Sequence, residues 1–153
     1  MILGVISDTH GLLRPEAVAA FREAKVTHIL HAGDVGNFQI IETLRQIAPV
    51  TAIRGNVDLY GSCAELPATD AVELGGALFY LVHSAGDLDI NPVVAQVAAV
   101  ISGHSHQAGF ETRNKVLFLN PGSSGPRRFK LPVTVALVQI EAGLLTPEIL
   151  TLI

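Results

Sequence analysis

Two histidines separated by one residue, His104 and His106, directly follow an apolar run at residues 97–101 and a Ser-Gly pair. The run predicts a buried strand, and ligands bind at the carboxyl ends of strands in open α/β sheets. Histidine serves both as a metal ligand and as a proton-transfer residue. A single His-x-His pair is a weak signal, because such pairs also occur at surfaces and in cores without a function.

Other polar residues share this position after an apolar run that predicts a strand. With the two histidines, the set comprises Asp8, His10, Asp34, Asn56, His83, His104 and His106. Its nitrogen and carboxylate donors, with no thiolate, suit Mn, Fe, Zn or Ni better than a Cys-rich zinc site or an all-oxygen Ca or Mg site. Seven ligands are too many for one ion, and a carboxylate can bridge two ions about 3.5 to 4 Å apart.

The apolar runs alternate with helical patterns in the first half of the chain. Strands are predicted at residues 2–6, 28–31 and 50–53, and helices at residues 15–25 and 39–47. This alternation is typical of a parallel, doubly wound α/β sheet.

The second half predicts mostly antiparallel strands, which is an α+β tendency. These strands are predicted at residues 71–74, 77–82, 97–101, 109–113, 116–120, 133–140 and 145–152, with a loop over residues 60–68 and a short helix starting near Pro92. We therefore expect two packed mixed β-sheets flanked by helices, in a single domain over residues 1–153.

Composition narrows the classes of partner. Ten Lys and Arg against fourteen Asp and Glu give a net charge of −4, so neither an extended nucleic-acid footprint nor polybasic membrane binding is expected.

The apolar fraction of 49% favours a sheet buried on both faces or a self-associating surface, and hence a homo-oligomer. No signal peptide or membrane-length apolar stretch is visible and Cys63 is the single cysteine, so a cytoplasmic protein with a buried or loop thiol is expected.

Five short motifs carry a family resemblance. They are Asp8-x-His10, Gly33-Asp34, Gly55-Asn56, His83 and Gly103-His104-x-His106. In order and approximate spacing, over residues 3–124, the chain resembles the calcineurin-like metallophosphoesterases, and particularly their small bacterial and archaeal phosphodiesterase branch. The resemblance implies the fold named for that family, a metallophosphoesterase-like sandwich, and a small phosphate-ester substrate.

The resemblance also implies roles for the seven residues. One divalent ion would be held by Asp8, His10, Asp34 and His106, and the other by Asp34, Asn56, His83 and His104. Asp34 would then bridge the ions, and a metal-bridging hydroxide would attack phosphorus in line, with Asp34, Asn56 and His104 acting through the metal-bound hydroxide and phosphate. Mn is the first expectation for the metal, with Fe, Zn or Ni as alternatives.

The chain departs from the family after the Gly-Asn motif. Many relatives have a histidine there that acts on the leaving group, whereas this chain has Val57 followed by Asp58. Valine cannot donate a proton, so we expect a preference for esters with good leaving groups. Asp58 either orients a neighbouring group, acts as an acid if its pKa is raised, or caps a turn. His83 precedes Ser-Ala-Gly where the family often has Gly and a further His. We therefore expect the second ion to be held a little differently or more weakly, with His83 still a ligand.

Several residues keep two interpretations. His31 either orients Asp34 or is a hydrogen-bonded core histidine. Arg54 contacts either a substrate phosphate or an acidic side chain, and Arg127 and Arg128 either reach a phosphate or form a solvated face. The loop at residues 120–123 either presents N–H groups to an anion or shapes the rim.

One rival comes from another class of protein. The chain also resembles the retromer scaffold subunit, including its Asn-Pro-Gly-Ser loop at residues 120–123, so a catalytically weak or inactive scaffold for protein binding is the alternative. That subunit lacks parts of the ligand set, whereas every expected position here holds a competent side chain. A Gly-x-Ser-x-Gly elbow and a P-loop pattern are both absent, which disfavours serine hydrolases and nucleotide switches.

Overall fold

Ten strands and three helices make up the chain, and the computed structural model describes residues 1–153. In chain order the elements are β1 (Ile2–Ile6), α1 (Pro15–Ala24), β2 (His28–His31), α2 (Gln39–Arg45), β3 (Val50–Ala52), α3 (Gly61–Ala64), β4 (Thr69–Leu74), β5 (Ala77–Val82), a 3-10 turn at Ala85–Asp87, β6 (Ala99–Ile101), β7 (Gly109–Arg113), β8 (Val116–Asn120), β9 (Thr134–Glu141) and β10 (Leu144–Thr151). The strands and the two longer helices lie where the apolar pattern predicts them, with small shifts at their ends.

The strands form two five-stranded sheets. The first has the order β10-β9-β1-β2-β3, and the second has the order β4-β5-β6-β8-β7. β1 pairs in parallel with β2, with Val5 opposite Leu30, and antiparallel with β9. In the second sheet β6 lies between β5 and β8 and is parallel to both. Both sheets are mixed, which confirms the predicted architecture.

Apolar side chains pack in layers on both sides of the first sheet. One cluster, which includes Val5 and Ile101, fills the space between the two sheets. Another cluster joins the first sheet to α1 and α2 through residues such as Phe21 and Ile41. α1 begins at Pro15, a favourable residue for a first turn, because its missing N–H would have no partner there. None of the helices has the length and apolarity needed to cross a membrane.

The segment before β6 corrects one prediction. The short helix predicted near Pro92 is wrong, because the chain there forms only a turn. The Asn91 carbonyl accepts a hydrogen bond from the Ala95 N–H at 3.0 Å, as in one turn of a helix. Gln96 then has a left-handed backbone with φ of 58°, which ends the turn. The outer face of the second sheet is therefore covered by irregular chain, and the helices lie against the first sheet.

Two further details differ from the predictions for the second half. The second half is less antiparallel than predicted, because β5, β6 and β8 run parallel to one another. The predicted loop over residues 60–68 contains the short helix α3, which buries Cys63 against the cluster of the first sheet. The thiol is therefore a packing group, one of the two interpretations that the sequence left for it.

The loops that follow the parallel strands meet at one place between the sheets. The Asp8 N–H donates to the Gly33 carbonyl at 3.0 Å, which joins the segments after β1 and β2. The Gly103 N–H donates to the His83 carbonyl at 2.8 Å, which joins the segments after β6 and β5. The fold therefore gathers the polar residues of four strand ends.

Candidate metal centre

Sharp turns place most of the candidate ligands directly after their strands. Left-handed backbone, with φ between 45° and 72°, occurs at Asp8, His10, Asp34, His104 and His106. Asp and His tolerate this region better than most residues, but it still costs free energy that the surrounding structure must offset. Clustering of such residues is typical of functional sites, and here it coincides with five of the seven residues chosen from the sequence.

The first group of ligand atoms comes from the loops after β1 and β6. Its members are Asp8, His10 and His106, whose ligand atoms lie within 4.8 Å of one another. Asp8 Oδ1 is 3.3 Å from His106 Nε2 and 3.6 Å from His10 Nε2. Asp8 is fully buried, so its carboxylate is shielded from bulk water.

The second group comes from the loops after β2, β5 and β6. Its members are Asp34, His83 and His104, again with ligand atoms within 4.8 Å of one another. Asp34 Oδ2 is 3.2 Å from His83 Nε2, and Asn56 Oδ1 is 3.2 Å from His104 Nδ1. The structure thus brings Asn56 to this group, as the sequence predicts.

Asp34 lies between the two groups. Its Oδ2 is 3.2 Å from His83 Nε2 in the second group and 3.5 Å from His10 Nε2 in the first. A carboxylate oxygen in that position faces donors of both groups at once. All seven residues predicted from the strand ends therefore converge on one centre.

Each aspartate has one oxygen held by the protein and one turned toward the histidines. Asp8 Oδ2 accepts hydrogen bonds from the Ser7 hydroxyl at 2.6 Å and the His104 N–H at 3.0 Å. Asp34 Oδ1 accepts the Val57 N–H at 3.0 Å. These contacts fix both carboxylates and leave Oδ1 of Asp8 and Oδ2 of Asp34 for a ligand. Val57, which replaces the histidine of many relatives, contributes here through its backbone.

A hydrogen bond also orients His83. Its Nδ1 donates to the Ala32 carbonyl at 2.7 Å, so Nε2 is the nitrogen turned toward Asp34. Such a bond from the far ring nitrogen is the usual way in which proteins orient a metal-binding histidine.

Electrostatics favour an ionised aspartate at the centre. Burial by itself raises the pKa of Asp34, but contacts with His83 and the Val57 N–H lower it to about 2. Burial lowers the pKa of His83, and the contacts with Asp34 and the Ala32 carbonyl reverse this, so the pKa is raised. Burial lowers the pKa of His106. Asp34 is thus a carboxylate at neutral pH, the form that binds cations.

Three of the ligand atoms at the centre lack hydrogen-bond partners within the protein. Asp8 Oδ1, His10 Nε2 and His83 Nε2 are all buried and unpartnered. Leaving a buried polar atom unsatisfied costs about 1–3 kcal/mol, so several such atoms facing one another are typical of a ligand-binding centre. Carboxylate and imidazole donors in two adjoining groups suit a pair of divalent ions.

Two glycines allow the loops to approach the aspartates. A Cβ at Gly55 would lie 2.1 Å from Asp34 Oδ1, and a Cβ at Gly103 would lie 2.0 Å from Ser7 Oγ and 2.5 Å from Asp8 Oδ2. Any side chain at these positions would displace the carboxylates. The glycines of the Gly-Asn and Gly-His motifs therefore have a steric role in the site.

Asp58 supports the site as a backbone anchor. Its Oδ2 accepts hydrogen bonds from the N–H groups of Val35 at 3.0 Å and Gly55 at 2.8 Å, and its Oδ1 accepts the Gly36 N–H at 2.9 Å. The buried carboxylate thus ties the loop that carries Asp34 to the loop that carries Asn56. Of the interpretations left open by the sequence, the contacts match an orienting residue that caps a turn, and an acid with all these acceptor contacts is disfavoured.

His31 is a hydrogen-bonded core histidine. Its Nδ1 accepts the Gly33 N–H at 3.1 Å, which leaves Nε2–H to donate to Thr9 Oγ1 at 3.1 Å. The Thr9 hydroxyl donates in turn to the Val35 carbonyl at 2.8 Å. Burial lowers the pKa of His31 to about 4, so the imidazole is neutral. Its two hydrogen bonds join the loops after β1 and β2, and neither of them is to the Asp34 side chain.

The loop at residues 120–125 supports Asp8. Ser123 Oγ donates to the Asp8 carbonyl at 3.0 Å, and the Ser124 N–H donates to the Ser7 carbonyl at 3.2 Å. Asn120 Nδ2 donates to the Gly103 carbonyl at 3.0 Å. These groups are used within the protein, so the loop shapes the rim of the site, one of the two predicted roles.

The sequence did not single out Ser7, Thr9 or the backbone of Val57. Thr9 and Val57 find their partners far along the chain, at Val35 and Asp34. Ser7 bonds the neighbouring Asp8, a contact that depends on the turn after β1. The one available signal was the polar run at residues 7–10 directly after a buried strand.

Similarity to known proteins decides the family. The sequence model of the calcineurin-like phosphoesterase superfamily domain matches residues 1–143. The chain belongs to this superfamily. The resemblance drawn from the five motifs is therefore confirmed.

Two relatives in the superfamily come from archaea. A probable metallophosphoesterase of Methanothermobacter thermautotrophicus is 36% identical, and the alignment covers 98% of this chain and 92% of the relative. A phosphodiesterase of Methanocaldococcus jannaschii is 29% identical, with 80% of this chain and 83% of the relative covered.

Solved structures share the fold. A predicted phosphoesterase from Streptococcus pneumoniae matches with a TM-score of 0.78 and 27% identity, covering 98% of this chain and 88% of that one. Vps29 from Entamoeba histolytica, in complex with Zn²⁺, matches with a TM-score of 0.73 and 20% identity, covering 99% of each chain. The second likeness is one of fold alone.

Proposed function

We propose that this member of the superfamily is a dinuclear-metal phosphodiesterase. The observation that carries the proposal is the convergence of two ligand groups in which three buried ligand atoms, on Asp8, His10 and His83, have no hydrogen-bond partner in the protein. One ion would be held by Asp8, His10, Asp34 and His106, and the other by Asp34, Asn56, His83 and His104. When bound, such a metal pair activates water as a nucleophile and neutralises charge on a phosphoryl group.

The protein's own residues prepare the centre for that chemistry. Ser7 and the His104 N–H hold Asp8, and the Val57 N–H holds Asp34, so neither carboxylate needs to reorganise when cations bind. Fixed dipoles and charges of this kind are what make electrostatic stabilisation effective in an active site. His104 and Asn56 are exposed and face the solvent side, where a phosphate ester would enter.

Diesters with good leaving groups are the proposed substrates. No imidazole follows Asn56, Val57 cannot donate a proton, and both oxygens of Asp58 accept backbone N–H groups. The leaving oxygen must therefore take its proton from water or leave as an anion. The phosphodiesterase named among the archaeal relatives supports the preference for diesters.

Hydrolysis of bis(p-nitrophenyl) phosphate by metal-stripped protein tests the proposal. We expect Mn²⁺ to restore turnover in the native protein but not in Asp34→Asn, where an amide replaces the carboxylate between the two groups. A matched control is Asp70→Asn, the same chemical change on β4. Absence of turnover in the metal-loaded native protein would refute the phosphodiesterase proposal for activated diesters.

A protein-binding scaffold is the second candidate. It is favoured by the fold shared with Vps29 and by exposed apolar side chains such as Val94 and Phe129. A scaffold has no need for seven converging donors, which is why we place the hydrolase first. If the protein binds Mn²⁺ but shows no turnover in the assay above, the scaffold becomes the first candidate.

A further inference from the structure

Two cavities adjoin the metal centre, and they differ in charge. The cavity beside the first group has a volume of about 240 Å³ and is lined by His10, His106, Pro126, Arg127 and Arg128. Its lining includes two arginines and no acidic residue. For clarity we call it the arginine cavity.

The cavity beside the second group is larger, with a volume of about 410 Å³, and its charge is different. Asp87 and Asp89 line it together with Asn56, His83 and other residues. Its single cation, Arg54, donates from Nη1 to the Leu66 carbonyl at 2.7 Å, which occupies part of the guanidinium. This cavity therefore disfavours a second anionic group.

The arginine cavity has a well-anchored base. The Arg14 guanidinium donates from Nε to the Gly125 carbonyl at 3.1 Å, and Ser123 Oγ donates to the Asp8 carbonyl. A Cβ at Gly125 would lie 2.3 Å from the Thr9 carbonyl oxygen, so the loop is packed against the backbone beside Asp8. The next residues after this anchor are Pro126 and the two arginines. Their position beside the first ligand group is thus set by the fold.

We propose that the arginine cavity binds a second phosphate group, carried by one of the two alcohols that the scissile phosphodiester joins. The inference rests on the proposed function, because it places the scissile phosphate at the ligand groups. Arginine presents several N–H donors in a planar fork that matches phosphate oxygens. An asymmetric substrate would then lie with its second phosphate toward Arg127 and Arg128 and its uncharged end toward Asp87 and Asp89.

A pair of substrates that differ in one phosphate tests the inference. The first is thymidine 5′-(p-nitrophenyl phosphate), and the second is its 3′-phosphorylated analogue, which has the same scissile diester and the same leaving group. With the Mn²⁺-loaded protein we expect kcat/KM to be about tenfold higher for the 3′-phosphorylated substrate. Two exposed ion pairs between arginine and phosphate have an effect of about this size. The ratio should fall as ionic strength rises.

Variants connect the preference to the two arginines. We expect the ratio to fall to about one in R127Q/R128Q and to persist in K130Q, which removes an exposed cation from the same segment but not from the cavity lining. The inference is overturned if the native protein treats both substrates alike, or if K130Q loses the preference as fully as R127Q/R128Q.

A binding measurement separates this inference from the proposed function. Calorimetry should show that thymidine 3′,5′-bisphosphate binds the native protein about tenfold more tightly than thymidine 5′-monophosphate, and that R127Q/R128Q loses the difference. If neither diester is hydrolysed but this difference is present, the phosphodiesterase proposal fails and the phosphate site stands. If the diesters are hydrolysed and no difference is found, only the phosphate site fails.

Discussion

Replacing Asp58 by asparagine removes a charge from the anchor that joins two loops of the metal centre. The carboxylate accepts three backbone N–H groups, from Val35, Gly36 and Gly55, and it is 3% exposed. An asparagine of the same shape can turn its carbonyl oxygen toward the two donors at Oδ2. Its amide nitrogen then faces the Gly36 N–H, where two donors meet without an acceptor.

The expected cost follows from these contacts. A hydrogen bond to a charged group contributes about 1.5–3 kcal/mol, and one to a neutral group contributes about half as much. Losing one bond and weakening two gives a decrease of at least about 3 kcal/mol in the free energy of unfolding. For a chain of this length, a melting temperature falls by about 2–4 °C per kcal/mol, so we expect it to be lower by at least about 6–12 °C.

Thermal and urea unfolding of Asp58→Asn beside Asp70→Asn measures this effect. The control makes the same chemical change at a half-buried aspartate on β4, where we expect a change within about 0.5 kcal/mol. Mn²⁺ affinity should also fall in Asp58→Asn, because the anchored loops carry Asp34 and Asn56. If Asp58→Asn unfolds at the same temperature as the native protein, the three contacts do not stabilise the fold and the anchor role is wrong.

Three other changes test the supporting contacts. Ser7→Ala removes the hydroxyl that holds Asp8, so Mn²⁺ affinity measured by calorimetry should fall about 10- to 100-fold, and an unchanged affinity would contradict the role of Ser7. Gly55→Ala drives a methyl group into the Asp34 carboxylate, and activity restored by Mn²⁺ should be lost. Gly86→Ala should keep the activity, because its Cβ would have only Ser84 Oγ nearby, at 4.0 Å. Burial lowers the pKa of His31 to about 4 in the folded protein, so as the pH falls the unfolded chain takes up a proton first. The neutral imidazole therefore contributes its full stabilisation above about pH 6.5. About 3 kcal/mol of the free energy of unfolding is lost as the pH falls to about 4. An NMR titration of the His31 imidazole with an ordinary pKa would refute that last expectation.

Much of the fold and of the candidate site could be predicted because both depend on short-range patterns. Apolar runs of strand length mark β1, β2 and β5, and parallel strands direct their carboxyl ends to one edge. Polar residues directly after parallel strands of one sheet, such as Asp8 after β1 and Asp34 after β2, are therefore expected to meet. The sequence alone was enough to choose all seven residues that converge in the structure.

The supporting contacts could not be predicted, since they join residues far apart in the chain. Asp58 meets Val35 across 23 positions, and His104 donates to Asp8 across 96. Such pairings depend on loop conformations that no local pattern encodes. The helix predicted near Pro92 is wrong for a related reason. Gln96 has a left-handed backbone, and residues 93–96 are exposed, so a helix there would have no buried face.

The central claim is that the two ligand groups hold a pair of divalent ions. A crystal structure of the Mn²⁺-loaded protein, with anomalous data collected at the manganese edge, tests it most directly. We predict two anomalous peaks per chain, one among Asp8, His10 and His106 and one among Asp34, His83 and His104. No peak at these groups, or manganese bound elsewhere on the chain, would contradict the metal centre and the function proposed for it.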